Sequence, residues 1–136
     1  LIYILQTRKA RIEKENLQSD YLSKLTNEYS RNKTTIAHIL DIYKDVSTED
    51  IAEILLKPGN TVKELLLIYY TKLDFTVYQA SLKELSEDSY INNIENWQRL
   101  FLISKYLNLL LNEVNNKKNI VILLNQIKQE IKSILD

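Results

Sequence analysis

Few side chains in this sequence could carry out catalytic chemistry. Its 136 residues include one histidine, one glycine and no cysteine, which excludes cysteine–histidine couples, thiolate metal sites and glycine-rich phosphate loops. On a helix, His38 would share a face with Asp41, and Asp45 would follow one turn later. This set could hold a divalent metal, but it is also typical of a solvated helix face, which is the interpretation we favour. We therefore predict no enzyme, no cofactor and no metal site.

Phosphate binding is the second chemistry that the charged side chains suggest. The basic residues near the start of the chain are Arg8, Lys9, Arg11 and Lys14. Seven basic and four acidic residues give residues 1–35 a net charge of +3, although the whole chain is neutral. A nucleic-acid contact through this segment is therefore the alternative function. The charge is too small to drive such binding alone, and the spacing of Arg8, Arg11 and Glu15 also suits pairs within one helix.

The composition predicts an all-α protein. The chain is rich in Leu, Ile, Lys, Glu and Gln, and its one proline and one glycine are neighbours, Pro58 and Gly59. One helix should end there and another begin, with Thr61 and Glu64 as a capping box.

Weaker signals predict the other helix boundaries. Ser47 or Thr48 should cap a short helix, Asn92 with Glu95 should open another, and NNKKN should connect the last two. The longer predicted helices cover about residues 2–15, 19–46, 61–85, 93–114 and 119–135. We expect a single helical domain over residues 1–136, a bundle of about five to six helices with one long helix in its N-terminal half.

The segment 19–46 has the clearest periodicity. Apolar residues recur at steps of three and four, and Asn32 takes the place of one more apolar residue, where it would fix the register or mark a local opening. This repeat extends further than a compact bundle of this size needs, so we expect it to contact another chain or a second copy. The predicted interface residues are Leu22, Leu25, Tyr29, Ile36, Ile39 and Tyr43.

No apolar run reaches the roughly 20 residues that span a bilayer. The absence of cysteine favours an intracellular location, cytoplasmic or nuclear. Because the first residue is Leu, we expect a fragment of a longer chain. The stretch LIYIL followed by QTRKAR then has two interpretations, the end of a membrane anchor with its basic flank or one apolar helical turn, and the second is the simpler.

The opening LIYILQTRKARIEKENLQSDYLSKLTNEY resembles the start of the helical domain of a GINS subunit, with Asp20 and Tyr21 leading into a long helix. VKELLLIYYTKLDFTVYQASLKEL and NWQRLFLISKYLNLL are similar to the central helix pair of that family, so the resemblance covers residues 1 to about 114. The sequence departs from the family in keeping only Lys63 and Lys72 on the central helix and in lacking a small β domain.

The resemblance implies a non-enzymatic scaffold in a replicative helicase assembly, acting through subunit interfaces. Together with the apolar repeat, it predicts a protein–protein interaction subunit of a multi-subunit assembly, related to DNA replication. The expected partner is a protein or a second copy, and any nucleic-acid contact would be indirect.

Overall fold

The computed structural model of the protein describes residues 2–84 and 94–135. These residues form six α-helices and no strand: α1 (Ile2–Tyr43), α2 (Thr48–Leu56), α3 (Thr61–Thr71), α4 (Thr76–Glu84), α5 (Ile94–Asn112) and α6 (Lys117–Leu135). The predicted all-α bundle with one long helix in the N-terminal half is confirmed. The predicted N-cap Asn92 lies outside the described residues.

Short polar side chains cap the helices that flank the Pro–Gly break. Ser47 Oγ accepts a hydrogen bond from the Asp50 backbone N–H at 3.1 Å and so caps α2. Gly59 has a φ of 67°, the left-handed conformation expected where a helix has ended. The predicted break is confirmed, but the prediction that Thr61 caps the next helix is wrong. Asn60 is the N-cap, because its backbone is extended and its Oδ1 accepts from the Lys63 N–H at 2.7 Å.

The predicted helices differ from the structure at two places before α5, and α6 begins at Lys117, inside the predicted connector NNKKN. The predicted helices 2–15 and 19–46 are one continuous helix, because the residues between them include neither proline nor glycine and their propensities do not stop a helix. The predicted helix 61–85 is interrupted between α3 and α4. There Asp74 Oδ1 accepts from the Thr76 N–H at 3.0 Å and from the Thr76 hydroxyl at 2.6 Å, so a side chain within an apolar run opens a new helix.

Two buried side chains of α1 hold this interruption in place. Asn32 donates to the Asp74 carbonyl at 2.8 Å and accepts from the Asp74 N–H at 3.1 Å. The carboxylate of Glu28 accepts from the N–H groups of Val77 at 2.8 Å and Tyr78 at 2.9 Å. We refer to Glu28 and Asn32 with these three backbone partners as the polar lock. Through it, α1 supplies hydrogen-bond acceptors to the first turn of α4.

The core lies between the second half of α1 and the remaining helices. α5 packs along α6, α2 packs on α6, and α1 contacts α3, α4, α5 and α6. The largest fully buried apolar side chains are Ile36, Ile39, Ile51, Leu66, Leu100, Ile103, Leu107, Leu124, Ile127 and Ile131. None of the helices in residues 2–84 and 94–135 combines the length and apolarity that a bilayer span requires.

Replacing Asn32 with alanine should destabilise the fold. The variant leaves the N–H and C=O of Asp74 without their side-chain partner, a loss of about 1–3 kcal/mol in the free energy of unfolding. Asn27→Ala is the matched control, since Asn27 is an exposed residue of the same helix and gains the same helix propensity. Urea unfolding of the two variants measures the difference, and equal midpoints would show that the hydrogen bonds of Asn32 contribute nothing to stability.

Candidate interaction surface

The N-terminal half of α1 lies outside the bundle. Every side chain that the structure describes from Gln6 to Asp20 is exposed. Further along the same helix the burial pattern changes to steps of three and four, with buried side chains at Leu25, Glu28, Asn32, Ile36 and Ile39. We refer to residues 6–20 as the arm. At 1.5 Å per residue it is about 22 Å of helix, along which the described side chains are exposed.

Charges of both signs cover the arm. Its exposed basic side chains are Arg8, Lys9 and Arg11, and its exposed acidic side chains are Glu13, Glu15 and Asp20. Arg11 and Glu15 approach to 3.9 Å with exposed fractions of 70% and 65%, so this pair stabilises the helix only slightly. The predicted basic residue Lys14 lies on the same helix, and the structure does not describe its side chain. The arm is thus a mixed-charge helix surface.

A large exposed apolar side chain, that of Ile12, lies among these charges. Ile12 is 46% exposed, and Leu22, just beyond the arm, is 43% exposed. Single exposed apolar residues are ordinary on protein surfaces. Where the other described side chains of the helix are mostly polar and exposed, however, they are the positions from which a contact with another helix would gain apolar burial.

The structure corrects the predicted interface. Leu25, Ile36 and Ile39 are buried within their own chain, so in this fold they are not available to a partner. Tyr29 is half-buried, and its ring lies 4.8 Å from that of Trp97. Leu22 is exposed, and the side chain of Tyr43 is not described. The periodicity was right about a buried helix face, but the remaining helices of the same chain cover it.

Asn32 also has a different role from the predicted one. As a polar residue in an apolar repeat, it was expected to fix the register against a partner or to mark a local opening. Its amide instead binds both backbone groups of Asp74 in the same chain. It therefore fixes the position of the turn between α3 and α4 relative to α1.

The base of the arm is held by side chains that the sequence did not identify. Trp97 of α5 donates its indole N–H to the carbonyl of Leu25 at 3.2 Å, where α1 enters the bundle. One turn further on, Glu28 makes the two hydrogen bonds of the polar lock. The available signal for Glu28 was its spacing, since it falls on the buried stripe three residues after Leu25 and four before Asn32. These contacts fix the direction in which the arm leaves the bundle.

Burial controls the ionisation of Glu28. The residue is 1% exposed, and burial of its carboxyl group raises the pKa of that group above the ordinary value of 4.5. The N–H groups of Val77 and Tyr78 act in the opposite direction, because they stabilise the charged form. Nearby Asp74 raises the pKa further and Arg31 lowers it. Desolvation is the largest of these effects, so the net shift is upward.

The residues that suggested a metal site are engaged in other contacts. The His38 ring stacks on Tyr69 with ring centroids 5.7 Å apart. Asp41 pairs with Lys44 at 3.0 Å. Within the part of the chain that the structure describes, no group of three His, Cys, Asp or Glu side chains is placed to hold a metal ion.

A cleft lies beside the turn that contains Pro58 and Gly59. It has a volume of about 350 Å³, near the lower end of the range for ligand pockets. Leu67 and Leu111 contribute apolar lining. Asn60 also lines the cleft. Its side chain caps α3 and donates a hydrogen bond to the Lys57 carbonyl at 2.6 Å. The charged side chains of Lys57, Lys63 and Glu64 also line the cleft.

No protein-family model, curated protein or solved structure matches this chain. The resemblance to GINS subunits therefore stays a prediction.

The raised pKa of Glu28 predicts the sign of one pH effect on stability. The folded chain holds this proton to a higher pH than the unfolded chain does, so the contribution of Glu28 to the free energy of unfolding falls as pH rises through the window above 4.5 and is level beyond it. Glu28→Gln removes the titration and keeps one acceptor. We expect the stability of the wild type minus that of Glu28→Gln, from urea unfolding between pH 4 and 7, to decrease with pH. An increase would mean that the two N–H donors outweigh burial.

Proposed function

We propose that this chain is a non-enzymatic helical interaction module, a scaffold subunit of a multi-subunit assembly, and that its arm binds another polypeptide. The observation that supports this most directly is the division of α1 into two halves. Residues from Leu25 onward build the core, whereas the described side chains from Gln6 to Asp20 contact solvent.

The described side chains of the arm give it little packing that would stabilise a helix. Isolated helices shorter than about 12 to 15 residues are marginal in water, and most helices in proteins are stabilised by packing an apolar face. Exposed ion pairs such as Arg11–Glu15 and Asp20–Lys24 contribute little. A second polypeptide packed along the arm would supply the missing contacts. Association would then order the arm, and this ordering would link binding to a change in helix content.

The non-enzymatic part of the proposal rests on residue types. The chain contains no cysteine and one glycine, and its one histidine is stacked on Tyr69. The resemblance to GINS subunits supports the finer proposal that the assembly serves DNA replication, and the absence of cysteine supports an intracellular assembly.

The alternative is a nucleic-acid contact through the arm, for which Lys14 was also predicted. The exposure of Arg8, Lys9 and Arg11 favours it. The exposed acids of the arm oppose it, because they lie among the basic residues and repel phosphates. A salt-sensitive mobility shift that is lost on Arg8→Glu would support the alternative.

An aspartate at the apolar position of the arm should weaken the association. We expect Ile12→Asp to raise the dissociation constant of the complex, with the partner that co-purifies or with a second copy, at least about ten-fold, because an unpaired charge would be buried in the contact. Ile122→Asp is the matched control, since both side chains are 46% exposed and both lie on helices. Light scattering of the reconstituted complexes gives the masses, and circular dichroism checks the fold.

If Ile12→Asp and Ile122→Asp weakened the association equally, the arm would not be the binding surface. A wild-type chain that stays monomeric and binds no purified partner would contradict the proposed function as a whole.

A further inference from the structure

The arm carries a self-complementary pattern of charge. Arg8, Ile12 and Glu15 follow each other at steps of four and three, so they form one stripe along the helix. All three side chains are exposed. Along the helix axis the stripe is positive, then apolar, then negative. A two-fold axis perpendicular to the helix near Ile12 would place a second copy of the stripe in reverse order. Its negative end would then lie opposite the positive end of the first copy, and its apolar centre opposite the apolar centre.

We propose that the occupant of the arm is the arm of a second copy of this chain, packed antiparallel about a two-fold axis near Ile12. This inference rests on the proposed function and names the partner. In the pair, Arg8 of each copy faces Glu15 of the other, and the two Ile12 side chains meet between these ion pairs. A parallel pair would instead place arginine against arginine and glutamate against glutamate, which is unfavourable. The charge order of the arm therefore selects the antiparallel arrangement.

The existing contacts of the stripe leave it available. Glu15 is paired with Arg11 of its own helix at 3.9 Å, and its side chain keeps an exposed fraction of 65%. A carboxylate can accept from two cations at once, so the second copy need not break this pair. The 136-residue sequence has 18 basic and 18 acidic residues and no net charge, so two copies do not repel each other overall.

The geometry of α1 separates the two bundles. Leu25, the first core residue of the helix, lies 13 residues from Ile12. At 1.5 Å per residue, the two bundles begin roughly 40 Å apart, at opposite ends of the paired arms. The helix pair therefore forms without a collision between the bundles. The polar lock holds α1 in this direction, since it fixes the second half of the same continuous helix.

A charge exchange tests the pairing. Sedimentation equilibrium or light scattering of the wild-type chain over a range of concentrations should show a monomer–dimer equilibrium. Arg8→Glu and Glu15→Arg should each weaken the dimer about ten-fold, because two symmetry-related ion pairs become repulsive. The double variant Arg8→Glu/Glu15→Arg restores opposite charges across the axis and should recover the affinity. Both sites are exposed, so circular dichroism should show an unchanged fold.

Cysteine cross-linking tests the orientation. The chain contains no cysteine, so one introduced thiol is unique. Ile12→Cys should form a disulfide-linked dimer on mild oxidation, because an axis near this residue brings its two copies together. Leu22→Cys is the control, with its two copies roughly 30 Å apart in the antiparallel pair, far beyond the reach of a disulfide. In a parallel pair both variants would cross-link.

The outcomes separate this inference from the function on which it rests. Loss of dimer in the single variants, recovery in the double variant and cross-linking of Ile12→Cys alone would support the antiparallel pair. A chain that is monomeric at every concentration, or a double variant without recovery, would overturn it. If Ile12→Asp still abolished binding to a different purified protein while Ile122→Asp did not, the interaction function would stand without self-pairing.

Discussion

Glu28 and Asn32 are the side chains on which the arrangement of this fold depends. Both side chains are polar and buried. Each makes two hydrogen bonds, Asn32 to the backbone of the turn before α4 and Glu28 to the backbone of the first turn of α4. A buried carboxylate and a buried amide are costly without partners, so α1 and the turn between α3 and α4 are stable only when docked together. The polar lock therefore couples the turn to α1, because the side chains of the helix and the backbone groups of the turn are hydrogen-bond partners of each other.

The same constraint explains why the described side chains of the arm are exposed. Its second half is held by the polar lock and by the core, and the single proline and glycine of the chain lie elsewhere, at Pro58 and Gly59. Without a break, the helix continues outward in the direction that the core sets. The surface that we assign to interaction is thus the extension of the element that organises the core. Arm side chains such as Ile12 can change without disturbing the packed residues behind them.

The sequence was sufficient where the signals are local. Propensities and residues within one turn of each other predict the helical class and the break at Pro58 and Gly59. They also limit the cap of α2 to Ser47 or Thr48. The interruption between α3 and α4 is not predictable in this way, because the Asp74 side chain that forms the turn lies inside an apolar run and the partner of its backbone, Asn32, is 42 residues away. Periodicity marked a buried face on α1, but it does not say whether the covering helices belong to the same chain. For the candidate surface, the sequence identifies the charged residues of the arm, but it does not show that these side chains lie outside the bundle.

The central claim is that the arm is ordered by a partner while the second half of α1 is ordered by its own chain. Hydrogen–deuterium exchange of the wild-type chain, compared between its associated state and the monomer reached by dilution, tests this most directly. Amides from Gln6 to Asp20 should be protected in the associated state and exchange rapidly in the monomer. Those around Ile36 and Ile39 should stay protected in both. Equal protection of the arm in both states would contradict the account.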